Sequence, residues 1–402
     1  MVFQQLQSLN IPNSNRESHS PSFSSSSTMA SAGGSAKAPR LGFLEAMEMS
    51  RLPDNNNDSN SRDTHRFMSQ RPAWQPGAEL PWNRPDVPPK ARSFHNSKAY
   101  GGHVYIQAPL AAARVVEANG TTRDANNGVK FGIHSIQGVF TYGGHVDRPF
   151  IYSVTKLSSG RSFRTFLVTA RQPTRPSANP SGPFPLSDAA DLPLGPVCFS
   201  CHVTFKRPAP NFADEQLSSA QDRFAHILSQ RKPDEWEASP QLDMDILNDL
   251  FPREGHGGFP IMDMYKVDMS SWNADRPVPE RCELLLYKLH KPVPEEDANA
   301  HILCHAFEAD RNGLLTIGNH LGWGYNLAVA ASLSYTFIVH VNAEEAVMKD
   351  GWWIQEVCWP RVSAGRAVLE SRVWSPEGKH VASGYQDGLT APREGNRAMG
   401  KL

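Results

Sequence analysis

The chain has few cysteines, no surplus of charge and no long apolar run. Its 402 residues include five cysteines, an odd and scattered set that fits a reduced compartment better than a disulfide framework. Lys and Arg number 40 against 41 Asp and Glu, so no basic face for nucleic acid is indicated. No apolar run approaches the roughly 20 residues that span a bilayer, and no membrane span is predicted.

Two common catalytic or metal signatures are also lacking. The sequence contains no Gly-x-Ser-x-Gly motif, so a serine hydrolase of the α/β type has no support. Cys198 and Cys201, next to His202, have metal-like spacing, but residues three apart on a strand face opposite sides. No second pair has ligand spacing. We therefore expect neither a metal site nor a redox cofactor.

The length of the chain suits two cores better than one. Residues 1–40 are rich in Ser, Asn, Pro and Gly, which predicts a disordered tail. The remainder is predicted to form an N-terminal domain over 41–208, a helical connector over 209–258 and a C-terminal domain over 259–395. The expected location is cytoplasmic. A peroxisomal alternative depends on Gly400-Lys-Leu402, a weak version of the Ser-Lys-Leu import signal.

The C-terminal part predicts an antiparallel meander behind a helix. Four runs are rich in aromatic and β-branched residues and are separated by turn residues. They cover 334–340, 352–359, 365–374 and 380–386. A helix is predicted over 294–312, with acids at its N-terminus and Asn312-Gly313 as its stop. The Gly-rich run 316–325 after it is interpreted as a turn, with a lid or pantetheine-side loop as the alternative.

The same order occurs two hundred residues earlier, which predicts a duplicated fold. A helix over 102–117 precedes four predicted strands, at 134–141, 150–155, 160–169 and 197–205. Pro109 inside the helical pattern predicts a kink or a helix that begins near Ala108. Between the copies, 215–231 predicts a charged helix. The fold class is therefore α+β, with two tandem antiparallel sheets that each wrap a helix.

This arrangement resembles the double hotdog, and short motifs resemble the acyl-CoA thioesterase II family. The motifs are Tyr100-Gly-Gly-His-Val104 before an Ala-rich helix, His134-Ser-Ile with Arg148-Pro-Phe-Ile-Tyr152, Ser159-Gly-Arg-Ser-Phe163, and Val381-Ala-Ser-Gly-Tyr-Gln-Asp-Gly388. The resemblance covers roughly residues 41 to 392. Each motif is short, but their order and spacing together are fairly specific.

The resemblance also implies a hydrolytic site in the second hotdog. The family uses an Asp, a Thr or Ser, and a Gln to hold the water that attacks the thioester. The Gln matches Gln386, but Ser334 stands at the Asp position and Pro360 near the Thr position, with Ser363 the nearest hydroxyl. A serine is no base near neutral pH without a partner, so the family mechanism is not carried over intact.

Other candidates come from the first copy and from strand ends. His134 occupies the position that matches Ser334, so we predict a catalytic role for Gln386, Ser334 and His134, with a structural histidine as the alternative for His134. Predicted substrate contacts are made by Gly101, Gly102, His103, Arg161 and Arg366. Weaker catalytic candidates are Asp147, Tyr335 and His340.

The leading hypothesis is an acyl-CoA thioesterase that hydrolyses a fatty acyl-CoA to the free acid and coenzyme A by an oriented water. The alternative is a catalytically weakened hotdog protein that binds acyl-CoA or a protein partner. A hydratase would want an Asp/His pair on a shared loop with an Asn-Pro motif, and none is found. Hotdog units also associate through sheet edges, so a homodimer is compatible with the sequence.

Overall fold

Thirteen strands dominate the part of the chain that can be described. A computed structural model describes residues 40–53, 64–92, 98–118, 130–252, 254–311 and 313–392. All of these belong to one compact unit. Apart from Arg40, the predicted tail lies outside the described residues. So do the Asn/Asp loop 54–63 and the C-terminal tripeptide.

The strands and helices are labelled separately in chain order. The strands are β1 Met49–Leu52, β2 Thr64–Ser69, β3 Gly132–Phe140, β4 Ile151–Ser159, β5 Phe163–Pro173, β6 Leu194–Lys206, β7 Glu237–Ala238, β8 Met262–Lys266, β9 Cys282–Leu289, β10 Leu327–Val339, β11 Trp353–Ser363, β12 Arg366–Trp374 and β13 His380–Pro392. The helices are α1 Phe43–Ala46, α2 Pro89–Arg92, α3 Gly101–Ala118, α4 Ser187–Ala190, α5 Ala220–Arg223, α6 Ala225–Leu228, α7 Asp245–Leu250, α8 Ser270–Asn273, α9 Ala298–Ala309 and α10 Gly313–His320. Single 3₁₀ turns lie at Pro233–Glu235, Val278–Glu280, Gly324–Asn326 and Ala343–Ala346.

The strands form one sheet in which the two copies meet edge to edge. Its order is β1-β2-β4-β5-β6-β3-β10-β13-β12-β11-β9-β8-β7, and all pairs between neighbouring strands are antiparallel. The β3–β10 pair joins the copies, with Ser334 opposite Val139 and Ile338 opposite Ser135. The two predicted helix-wrapped sheets are therefore present and are continuous with each other.

The long helices α3 and α9 pack together inside this sheet. Both are buried almost all round, which is expected of central helices covered by a sheet on several sides. Asp297 caps α9 by accepting from the Ala300 amide at 3.1 Å. Tyr105 of α3 stacks on Tyr335 of β10, with ring centroids 4.6 Å apart, so the inner face of β10 is anchored to the first copy.

Three helix predictions differ from the structure. Helix α3 begins at Gly101 and runs through Pro109, so a start near Ala108 is wrong, while the alternative, a kink at Pro109, stays a prediction. The single helix predicted over 294–312 ends at Ala309, and a second helix, α10, fills Gly313–His320, where a turn was predicted.

The connector also differs from its prediction. The charged helix predicted over 215–231 is two one-turn helices, α5 and α6, broken at Phe224. The buried Phe224 ring packs edge-on against Trp272 at 4.9 Å, and this contact fixes the break. None of the described helices is long and apolar enough to cross a membrane.

Candidate active site

Gln386 lies on the inner face of β13, directly opposite the stacked Tyr335. Its side chain is buried, with 4% exposed. The side-chain amide donates one hydrogen bond to Asp310 and a second to the Ser332 hydroxyl at 2.8 Å. Gln386 is thereby fixed between a carboxyl and a hydroxyl that come from two other elements.

Asp310 is the C-cap residue of helix α9, directly after its last residue, Ala309. Its carboxyl is buried beside the start of helix α3, where the Gly102 backbone amide hydrogen-bonds to it and the Tyr100 hydroxyl lies nearby. Burial raises the pKa of this carboxyl from 3.8 to about 7, although the hydrogen bonds from Gln386 and Gly102 and the nearby Tyr100 hydroxyl oppose the rise. Asp310 therefore exchanges its proton near neutral pH, as a general base should.

A β-bulge in β10 turns Ser332 toward this cluster. Ser332 pairs with Gly388 and Ser334 with Asp387, so Leu333 is an extra residue on β10. Ser334 precedes the inward Tyr335 and is therefore on the outer face, opposite the half-exposed Val139. The predicted grouping of Ser334 with Gln386 is consequently not found, and Ser332 supplies the hydroxyl.

A cavity of about 510 Å³ opens in front of the cluster. Asp310, Ser332 and Gln386 are part of its wall, together with Gly101 and Arg311. The apolar part of the wall comes from the α7 region, α10, β10 and the segment before α3, with Trp74, Leu242, Met244, Leu247, Leu314, Leu315 and Leu327. The reactive groups thus face a mainly apolar space that is large enough for a small ligand.

The turn before α3 is shaped by two glycines and a tyrosine. The Tyr100 hydroxyl donates to the Phe307 carbonyl of α9 at 2.8 Å, which ties the start of α3 to the end of α9. A Cβ on Gly102 would lie 2.4 Å from the Tyr100 ring, so only glycine fits there. This packing allows the Gly102 amide to reach Asp310, and the positive end of α3 favours the carboxylate form.

The C-terminal half of the chain matches a known family. Residues 206–390 match the sequence model of the acyl-CoA thioesterase C-terminal domain. This part of the chain is therefore similar to that domain. No curated protein sequence matches the chain.

Solved structures extend the similarity to both halves. An acyl-CoA thioesterase II, TesB2, from Mycobacterium marinum superposes with a TM-score of 0.54 at 19% identity, covering 88% of this chain and 100% of its own. A tesB protein from Mycobacterium avium subspecies paratuberculosis gives 0.50 at 15%, covering 87% and 98%. A conserved protein with a hot dog fold from Alicyclobacillus acidocaldarius gives 0.51 at 12%, covering 87% and 97%. The fold is therefore the double hotdog.

The structure brings two of the predicted substrate-contact residues to the cluster of Asp310, Ser332 and Gln386 and leaves a third outside it. Gly101 lies in the cavity wall, and Gly102 binds Asp310 through its amide. His103 is buried within α3 beside Gln107 and does not contribute to the cavity wall. Burial lowers the pKa of His103 to about 4, which keeps the ring neutral.

The remaining predicted residues lie away from Gln386. His134 borders a separate small pocket with Lys206 and Asn342, and burial lowers its pKa. Arg161 is exposed in the turn before β5, and Arg366 is exposed and pairs with Asp387 at 3.1 Å. These three do not join the cavity that contains Gln386.

The weaker candidates have other partners. Asp147 pairs with Arg148 at 2.7 Å, and Tyr335 packs in the core. His340 and His380 both contact the Ser383 hydroxyl, at 2.9 and 3.1 Å, on the outer face of the sheet. Within the described ranges, no group of three or more His, Cys, Asp or Glu side chains is arranged to hold a metal ion.

Sequence reasoning missed Asp310, Ser332 and Arg311. The run from Glu308 to Arg311 could have pointed to the site, because three of its four residues are charged and they lie at the end of a mostly apolar helix. Acidic residues at a helix C-terminus interact unfavourably with the helix dipole, so their presence there suggests a role other than helix stability. Ser332 carried no comparable signal, since its inward direction depends on the bulge.

Proposed function

We propose that the protein is an acyl-CoA thioesterase that hydrolyses a fatty acyl-CoA to the free acid and coenzyme A. The observation that carries this proposal is the Asp310–Gln386–Ser332 cluster on the wall of a mainly apolar cavity. The family match over residues 206–390 supports the reaction class. The carboxylate and hydroxyl that the aligned positions lack are thereby supplied from Asp310 and Ser332.

In this proposal Asp310 acts as the general base. Gln386 uses its amide protons on Asp310 and Ser332, so its side-chain carbonyl remains to accept a hydrogen bond from the attacking water. Asp310 takes one proton as the water oxygen bonds to the thioester carbon. The pKa of about 7 suits this transfer, because both protonation states are populated near neutral pH.

The second half of the reaction returns that proton. The tetrahedral intermediate carries its negative charge on the former carbonyl oxygen, and the positive end of α3 at Gly101 lies in the same wall. The carbon–sulfur bond then breaks, and Asp310 gives its proton to the coenzyme A thiolate. The free acid and the thiol leave, and the carboxylate is restored.

The test is free-thiol release from a panel of acyl-CoAs by the purified protein and by Gln386→Ala. Loss of water orientation should lower kcat by about 100-fold, within the range usual for such groups. Ser334→Ala is the matched control, since Ser334 lies on the outer face of β10. Full activity in Gln386→Ala would remove the proposed site. Binding of acyl-CoA without turnover by the unmodified protein would select the non-catalytic alternative.

A further inference from the structure

Arg311 is a buried cation in the wall of the same cavity. Its side chain is 1% exposed and follows Asp310 directly in the chain. The guanidinium stacks over the Phe259 ring at 4.1 Å and lies 5.5 Å from the Trp74 ring. One nitrogen donates to the Pro240 carbonyl. The group is thus held rigidly between aromatic rings.

No described carboxylate pairs with this guanidinium. Its Nε and Nη1 atoms have no hydrogen-bond partner among the described residues. The nearby Asp243 binds Lys266 at 3.0 Å instead. Burial raises the pKa of the Glu308 carboxyl well above its usual value and so favours the neutral form, against the opposing influence of Arg311.

An unpaired buried charge is unfavourable, and an entering anion would relieve it. The burial that lowers the pKa of Arg311 to about 10 still leaves it charged at neutral pH. Uncompensated buried ions destabilise the folded state. The unused N–H groups on Nε and Nη1 can each donate a charge-assisted hydrogen bond to a carboxylate oxygen.

We infer that Arg311 binds a carboxylate carried by the far end of the acyl group, so that the preferred substrate is the coenzyme A ester of a dicarboxylic acid. This inference rests on the proposed thioesterase function. The cavity of about 510 Å³ corresponds to a sphere roughly 10 Å across, and both Asp310 and Arg311 lie in its wall, so a short diacid can be held there. The phosphates of coenzyme A are a less suitable source, because the pantetheine arm separates them from the thioester by more than this width.

The first test compares two acyl groups of equal length. The ratio of kcat/KM for adipoyl-CoA over hexanoyl-CoA is measured for the unmodified protein and for Arg311→Met. The ratio should fall about 100-fold in the variant, because a site built for a polar group discriminates strongly when its partner is absent. Arg164→Met is the matched control, since Arg164 is also buried and also stacks on a phenylalanine, Phe131, at 4.0 Å.

The outcomes separate this inference from the proposed function. An equal loss on both substrates would show that Arg311 serves the reaction centre and would overturn the inference alone. A preference of the unmodified protein for hexanoyl-CoA would overturn it too. The absence of thiol release from every acyl-CoA tested would refute the thioesterase proposal itself.

A second measurement requires no turnover. Free adipate should raise the melting temperature of the unmodified protein more than hexanoate does, because a ligand that binds only the folded state stabilises it. The adipate effect should disappear in Arg311→Met and persist in Arg164→Met. No adipate effect in the unmodified protein would refute the carboxylate site, whether or not the protein is an enzyme.

Discussion

Asp310→Asn removes the proposed base while keeping the size of the side chain. The carboxyl is buried and receives hydrogen bonds from Gln386 and Gly102. An asparagine keeps one acceptor oxygen but presents an NH₂ group where the second acceptor was. The variant therefore changes stability by a constant amount and also removes a group that titrates. Only the second effect depends on pH.

The size of the pH-dependent effect follows from the two pKa values. The pKa of Asp310 is about 7 in the folded state and 3.8 for the solvent-exposed side chain of the unfolded state. This difference is equivalent to about 4 kcal/mol. The folded state keeps its proton where the unfolded state has lost it. The stability contribution is therefore complete below pH 3.8 and is lost as pH rises to about 7.

The assay is urea unfolding of both proteins between pH 5.5 and pH 8.5. Relative to Asp310→Asn, the unmodified protein should lose about 2 kcal/mol between pH 5.5 and pH 7 and nothing more above pH 8. In parallel, kcat/KM should fall about tenfold for each pH unit below about 7 and should be lowered about 100-fold or more in the variant. A stability difference that is constant with pH would show that Asp310 is not a desolvated carboxyl, and undiminished turnover would refute its role as base.

Two further changes test the site and its scaffold. Ser332→Ala should lower kcat about fivefold, because Gln386 loses a hydrogen bond worth about 1 kcal/mol, whereas Ser334→Ala should stay within about twofold in the same thiol-release assay. Arg223→Ala should lower the unfolding free energy by about 3 kcal/mol, because Glu356, 1% exposed, loses its partner at 2.5 Å. Urea midpoints measure that loss, and an unchanged midpoint would mean that Arg372 and Trp374 satisfy Glu356 without Arg223.

The fold could be predicted from the sequence because its strands and helices bury apolar side chains at regular spacing. The run 365–374, with its valines and Trp374, was predicted as a strand and forms β12, Arg366–Trp374. The other predicted strands of both meanders are present, but β10 begins seven residues before its predicted start at 334, and β13 extends six residues beyond its predicted end at 386. Joining the copies through β3 and β10 was not predicted, because edge pairing between distant strands leaves no local pattern.

The helical regions failed where tertiary packing decides the ends. The sequence after α9 contains three glycines, which suggested a turn, yet α10 forms there with Leu314 and Ile317 packed against the buried Trp359. Gly313 is required at its start, because a Cβ would lie 2.1 Å from Leu369. Packing of this kind outweighs the weak propensity of single residues.

The prediction of the site was limited by one extra residue and one helix end. Matching this strand to the family motif assumes that side chains alternate regularly between the two faces of the sheet. The bulge at Leu333 breaks that alternation, so Ser332 and not Ser334 faces the core. The proposed hydrolysis uses a carboxyl within reach of Gln386, whichever element carries it. Asp310 meets that requirement from the end of α9, and the Tyr100 bridge to Phe307 holds that end against α3. The proposed chemistry therefore depends on residues from two helices and two strands, and a motif search along one strand could find only Gln386.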